Sequence, residues 1–412
     1  MTEERKKTLT GPAPILALEV AIYGLFVALL LVPTVWIIIV ELALAGGAIL
    51  YLRRKPALGE QLGELFAAHK KVASAGIIFL ILITPFCLAS SPYWLFVVIT
   101  AGLFMLAALG LNLQLGSGGM VNLAGFAFYA VGAYTAGLLA LNLGWPTWLT
   151  IPAGAVMAGL FSILLFIPIL KTTGSYLALV TIAFQFMMVI LLDNLEWTGG
   201  PQGLKNMPLF SIGGYSFASN LRIGPLELPF YANFYYLLVL LVAVVVIVCH
   251  RFYQSWVGVT LSTIRDDEIA AKTSGVNVNR WKMIAFTLGN CFIGLAGAFY
   301  SHLVGFISPP TFSFDRSLIL VSIVILGGMD NIIGVIFGAL LLILLPEKLR
   351  VISDYRFLIY GIVLIVMLIF RPKGAFPSKV RDFADLAEMA ARRAKKKRLV
   401  AEGTNPSSAA RT

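Results

Sequence analysis

Charge is scarce in this sequence: only 12% of its 412 residues are Asp, Glu, Lys or Arg, whereas 59% are hydrophobic. Soluble domains carry about 25% charged residues. With a mean hydropathy of +0.90, the composition excludes an ordinary soluble protein. Histidine and cysteine number 3 each and stand far apart, as His69, His250, His302, Cys87, Cys249 and Cys291. That spacing suggests neither a disulfide framework nor a metal cluster, so no metal site and no cofactor are expected. Sequence signatures of catalysis are missing as well. There is no G-x-x-x-x-G-K-[ST] phosphate loop, no H-E-x-x-H and no G-x-S-x-G, and an enzyme is not expected. From Pro92 to Leu192 the apolar runs are almost free of charge, with Glu19 and Glu41 earlier and Asp193 and Glu196 at a helix end. A carrier driven by protons or sodium binds its coupling ion on ionisable groups at mid-span, so the membrane part has no evident engine of its own. The formal net charge of +11 gathers at the edges of apolar runs and in the tail. Membrane topology and anionic lipid account for it there, without nucleic acid.

What the sequence does have is a series of apolar runs. Ile15 to Leu52, interrupted at Pro33, is long enough for a pair of helices and too long for a signal peptide, although Ala43-Leu44-Ala45 resembles a cleavage site. Further runs occupy Val72 to Ala89, Pro92 to Leu113, Val121 to Leu141, Trp148 to Leu170, Ser175 to Leu192 and Tyr231 to His250. After them come Met283 to His302, Ser317 to Leu326, Ile332 to Leu345 and Phe357 to Phe370. The expected fold is all-α and polytopic, with about 12 transmembrane or partly spanning helices. Ser317 to Leu326 is too short to cross alone and reads as re-entrant or as half of a broken helix. Three regions follow: an N-terminal helical pair and loop (1–71), a membrane domain (72–376) and a basic tail (377–412). Lys and Arg clusters before and after the first pair, and from Arg392 to Arg398, place both termini in the cytoplasm.

Against this oily background the loop 252–282 is a soluble island, in which Arg265, Asp266, Asp267 and Glu268 stand consecutively. Val257, Leu261, Ile264 and Ala271 fall on one helical stripe, Glu268 and Lys272 can pair at i, i+4, and Gly275 is a natural helix stop. Such an island is either a solvated connector or a grip for another protein. Elsewhere the pattern G-G-M-x-N-x-x-G-x-x-F occurs twice, from Gly118, Gly119 and Asn122 to Phe128, and from Gly327, Gly328 and Asn331 to Phe337. Gly-Gly and an amide inside an apolar helix suggest a helix that starts or breaks within protein, facing a translocation path. Asn122 and Asn331 fit helix N-caps at the membrane edge equally well. On the opposite side, in the loop 193–230, Thr198, Gly199, Gly200 and Gly203 form a turn-rich cluster suited to a gate or a docking edge. Neutral Tyr134, Thr181 and Gln185 fit either packing or contact with a zwitterionic solute.

The segment from Arg265 to Phe286 resembles the cytoplasmic loop and following helix of permeases in branched-chain amino acid ABC importers, of the LivM type. So do Leu109 to Leu139, Trp197 to Leu204, Gly294 to Pro309, Leu326 to Leu342 and the final Phe370 to Phe376, in the family's order. Within it, Glu268 to Gly275 looks like the Glu-Ala-Ala...Gly loop of importer permeases, with one residue inserted after the glutamate. The resemblance implies a bacterial inner-membrane subunit without catalysis of its own, moving leucine, isoleucine and valine. It would work with a second permease, two cytoplasmic ATPase subunits and a periplasmic binding protein. In that family Arg265, Asp266, Asp267, Glu268, Ala270, Ala271 and Gly275 would form the ATPase-coupling helix, with Glu268 pairing to a basic residue of the ATPase. Thr198, Gly199, Gly200 and Gly203 would face the periplasm at the gate or the binding protein. Relatives carrying urea or short amides share most of these motifs, and a self-sufficient carrier or channel is the alternative from another class.

Overall fold

Backbone amides within a bilayer find no water, so each apolar run satisfies its hydrogen bonds internally as a helix. The computed structural model describes residues 13–31, 68–169, 176–223 and 226–348, with positions 361, 362, 365, 369 and 374–376. In chain order the α-helices are α1 Ala13–Leu31, α2 Lys70–Cys87, α3 Pro92–Asn112, α4 Gly125–Asn142, α5 Thr147–Ile169 and α6 Tyr176–Asn194. They continue as α7 Tyr231–Tyr253, α8 Trp256–Asp266, α9 Glu268–Thr273, α10 Val278–Val304, α11 Phe314–Gly327 and α12 Ile332–Lys348. A π-helical turn, Leu113–Ser117, prolongs α3. Among the described residues 9 helices are long and apolar enough to cross a membrane, and the chain is a polytopic all-α membrane protein. The second member of the N-terminal pair, the run from Phe357 and the basic tail lie outside the described residues, apart from the isolated positions named above.

The central element is α10, 27 residues long, which packs on α3, α4 and α5. Its glycines make this closeness feasible. A Cβ at Gly289 would meet the Gly110 carbonyl, one at Gly294 would meet Ala158, and one at Gly297 would meet the Tyr129 carbonyl. Without a hydrophobic drive between helices in lipid, such small-residue seams are what hold spans together. Aromatic rings fill the space beside the seams: Phe286 lies 5.9 Å from Phe128 and 5.5 Å from Phe166, centroid to centroid. By contrast α1, α2, α5 and α6 turn large apolar side chains such as Ile22, Phe79, Leu164 and Ile190 outward, as a lipid-facing surface requires.

One expected boundary is corrected. The run read as Ser317 to Leu326 is a longer helix, α11, entered through a 3-10 turn at Pro309–Phe312. Together Pro309–Gly327 measures 19 residues and qualifies as a candidate span. The charges that hid its start, Asp315 and Arg316, project outward from its first turn. Helix α1 is fastened to the body at both faces: Tyr23 donates to Thr84 Oγ1 at 3.1 Å on α2, and Lys348 Nζ donates to the Leu30 carbonyl at 3.0 Å. The loop between α6 and α7 carries two short antiparallel hairpins, β1 Ser211–Ile212 with β2 Tyr215–Ser216, and β3 Leu221–Ile223 with β4 Leu226–Leu228. Gly213 and Gly214 supply the positive φ values, 55° and 89°, that the tight first turn requires.

Candidate functional site

The island is two helices rather than one. At Asp267 the backbone is extended (φ −154°, ψ 105°), ending α8 and capping α9. Its carboxylate accepts from the backbone N–H groups of Ile269 and Ala270, both at 2.9 Å, which satisfies two donors that a helix start leaves open. The stripe expected from the sequence is nevertheless buried at Leu261, Ile264 and Ala271. Gly275 closes α9 with φ 82°, and Val276 N–H returns to the Ala271 carbonyl at 3.1 Å. Glu268 is engaged within the chain, at 3.1 Å from Lys272 Nζ and 2.6 Å from Lys282 Nζ. Hydrogen bonding from Lys282, followed by that from Lys272, holds its carboxyl below the ordinary carboxylate range. Of the residues expected to meet an ATPase, Arg265, Asp266, Asp267, Ala270 and Gly275 are exposed and Glu268 is half-buried, whereas Ala271 packs inward with no exposure. The residue that sequence reasoning missed is Ile269, 76% exposed between them. An isoleucine off the apolar stripe, directly after the acidic run, was the available signal.

Arg265 is exposed too, its Nε standing 3.4 Å from Asp266 Oδ1, but it also reaches the membrane helices. Its guanidinium donates to the Gly116 carbonyl at the end of α3 and lies 4.0 Å from the Asp330 carboxylate. Ser117 donates to Asp330 Oδ1 at 2.8 Å, the Asp330 N–H donates to Asn112 Oδ1 at 2.8 Å, and Asn112 Nδ2 donates to Tyr253 at 2.9 Å. Both copies of the repeat therefore converge under the island. In each copy a helix ends, the chain passes through a left-handed position (Gly119 at φ 64°, Asp330 at φ 65°) and a new helix begins. Asn331 is an N-cap, its Oδ1 accepting from Ile333 and Gly334 at 3.0 and 3.2 Å. Asn122 accepts from Ala124 N–H at 2.9 Å, but its amide donates into a buried cluster, to Gln114 at 2.8 Å and Asn290 at 3.1 Å. Gly118, Gly327 and Gly328 are buried, and Gly328 packs against Gly374 of the final described segment, whose Ala375 and Phe376 N–H groups donate to Leu326 and Gly327.

Across the bundle, the cluster at Thr198 is tied down. Thr198 is buried and donates to the carbonyls of Leu192 and Leu195 at 3.1 and 2.7 Å. Gly199, Gly200 and Gly203 all take positive φ, and Leu204 exchanges two backbone bonds with Ile307 at 2.9 and 3.1 Å. Thus these residues buttress the segment after α10, leaving Trp197 exposed beside them. Gln185 serves the start of α4: its Oε1 accepts from Ala127 N–H at 2.7 Å and from Ser317 at 2.9 Å, and its Nε2 donates to the Phe312 carbonyl at 2.8 Å. Thr181 accepts from Leu123 N–H at 3.1 Å. Tyr134 is buried and its hydroxyl has no hydrogen-bond partner. Among the described residues, no group of three or more His, Cys, Asp or Glu stands where it could hold a metal.

The described residues thus form a bundle of apolar candidate spans with close glycine seams and a charged two-helix island at one end. A sequence profile of the family described as "Branched-chain amino acid transport system / permease component" matches residues 93–369. The high-affinity branched-chain amino acid transport system permease protein LivM of Escherichia coli (strain K12) is 34% identical over 290 residues, covering 67% of this chain and 68% of that protein. More distant similarity extends to the fructose import permease protein FrcC of Rhizobium meliloti, 28% identical over 36% of this chain and 42% of that protein. It extends also to the probable permease protein LivH of Methanocaldococcus jannaschii, 25% identical over 67% of this chain and 89% of that protein. No solved structure matches. The chain belongs to the family of branched-chain amino acid transport permeases.

Proposed function

We propose that this chain, in a bacterial inner membrane, moves leucine, isoleucine and valine inward as one of two permease subunits driven by two cytoplasmic ATPase subunits and fed by a periplasmic binding protein. The island, including Asp266, Asp267, Glu268, Ala270 and Gly275, seats in the ATPase, with both termini on that side. The loop 193–230 faces the periplasm. The supporting observation is Ile269, an exposed apolar knob on α9, a helix whose start is fixed by Asp267 and which is joined to the long helix α10 by a short link and to the long helix α7 through α8. A short rigid helix between two spans converts closure of a partner into tilt of those spans. Glu268 contributes by stiffening this element through Lys272 and Lys282.

The test is purification of the tagged chain from its native membrane, followed by reconstitution in liposomes with its partners. Two ATPases and a second permease should accompany it, and labelled leucine should enter only with ATP and binding protein present. Burying an isoleucine contributes roughly 1.5–3 kcal/mol, so Ile269→Asp should weaken ATPase retention about tenfold or more. Recovery of the chain alone, with solute movement in the absence of ATP, would overturn the reading.

A further inference from the structure

The convergence of the two helix breaks on one side chain points to a mechanical element of its own. Helix C-termini carry partial negative charge from unpaired carbonyls. At the end of α3, in the π-helical turn, the Gly116 carbonyl accepts from Arg265, which sits in the last turn of α8. The same guanidinium faces the Asp330 carboxylate at 4.0 Å, one residue before the N-cap of α12. Ser117 and Asn112 each add a bond of 2.8 Å to Asp330, so the two breaks are joined to one another as well as to the island. The closeness is enforced sterically: a Cβ on Gly116 would stand 2.5 Å from Asp330 N, and one on Gly119 would stand 3.1 Å from Arg265 Cγ. Gly374 packs on Gly328 from the far side. A single cation thus ties the end of one repeat's first helix to the start of the other repeat's second helix, and does so from the element read above as the ATPase contact.

We propose that Arg265, Asp330, Ser117 and Asn112 form a latch that transmits movement of the island to both helix breaks at once, with Asp330 as a positioning residue for transport. Its link to ATP rests on the importer reading; the latch itself does not. Tilting α8 carries Arg265 with it. Because the guanidinium holds Gly116 and Asp330 together, α3 and α12 move as a pair or the latch opens.

Amide hydrogen exchange on the purified chain tests the latch without reference to cargo. Coupling between sites is typically 5- to 150-fold, so Arg265→Gln and Asp330→Asn should each speed exchange by about fivefold or more in both segments, 114–122 and 328–334. Acceleration confined to the segment next to the substituted residue overturns the latch. In the reconstituted importer the same variants should raise the ATP hydrolysed per leucine imported while the chain and its ATPases are still recovered together, and Asp330→Glu should restore the ratio. An unchanged ratio, or a loss of uptake that merely tracks loss of assembly, overturns the positioning role. If the wild-type chain imports nothing with ATP, the importer reading fails, and the exchange result alone decides the latch.

Discussion

Gln185 shows how much a single neutral side chain does in a dry interior. It serves three partners from three different segments, and each of its bonds replaces one that water cannot supply. Leaving a buried donor or acceptor unmet costs roughly 1–3 kcal/mol. Gln185→Leu, which strips the Phe312 carbonyl and the Ser317 hydroxyl of the partner Gln185 gives them while the Ala127 N–H keeps the Ala124 carbonyl at 3.1 Å, should lower the thermal midpoint of the purified protein; an unchanged midpoint would show that those groups find other partners. Glu268 makes a different prediction, because it sits outside the spans. Its carboxyl is held below the ordinary value, so its ion pairs are complete above the ordinary carboxylate range and are lost only as pH falls through the lower, folded value. Carbon NMR of labelled Glu268 should therefore show a midpoint below that of a free glutamate, and Lys282→Gln should raise it. A midpoint unmoved by Lys282→Gln would remove that lysine as the main cause. Of these roles the sequence displayed only part. The Glu268 and Lys272 spacing was readable as a pair, but Lys282 is 14 positions away from Glu268, and local periodicity carries no information about such a contact. Likewise Gln185 was visible as a polar residue in an apolar run, whereas its role depends on the start of a different helix.

At the scale of elements the sequence was a better guide, since an apolar run in lipid has few alternatives to helix. It failed where a helix is interrupted for packing reasons. The break at Asp267 lies inside a stripe that continues unbroken across it, and the side chain that ends one helix starts the next. The seams of α10 were equally hidden, because a glycine that permits a close approach and one that is incidental look alike in sequence. Gly132 and Gly24 separate the two cases. A Cβ on Gly132 would collide with the Gly294 carbonyl, whereas one on Gly24 meets nothing within 4 Å. Gly132→Leu forces α4 from α10, and overpacking of this kind costs typically 1–3 kcal/mol or more; the variant should accumulate poorly in the membrane. Gly24→Ala, in the interior of α1, should gain up to about 1 kcal/mol of helix propensity and accumulate at least as well as the parent. Equal abundance of the two variants would discount the seam.

For the whole molecule, the placement of the island and the hairpin loop fixes how the chain must sit in a membrane. Helix α7 starts at the end of the loop and finishes at the island, and its 23 residues span about 34 Å at 1.5 Å per residue. Helix α10 makes the return journey: it begins beside α9 and ends at Val304, and the carbonyl of its C-cap Gly305 accepts from Met207 N–H at 3.1 Å in the same outer loop. Two helices thus connect one face to the other, and each is long enough to cross the roughly 30 Å hydrocarbon core. The island and the Trp197 loop therefore belong to opposite aqueous compartments, whichever compartment each occupies. In the orientation proposed above, which the positive-inside rule motivates, the island lies in the cytoplasm. A membrane-impermeant maleimide distinguishes the two faces in a background with Cys87, Cys249 and Cys291 replaced by alanine. Ile269→Cys should label only in inside-out vesicles and Trp197→Cys only in intact cells or right-side-out vesicles, since both parent side chains are exposed. Labelling of both from one side would contradict the path of α7 and α10 across the bilayer. The reversed pattern would leave that path intact and turn the island away from any cytoplasmic ATPase, removing the contact on which the proposed import cycle depends.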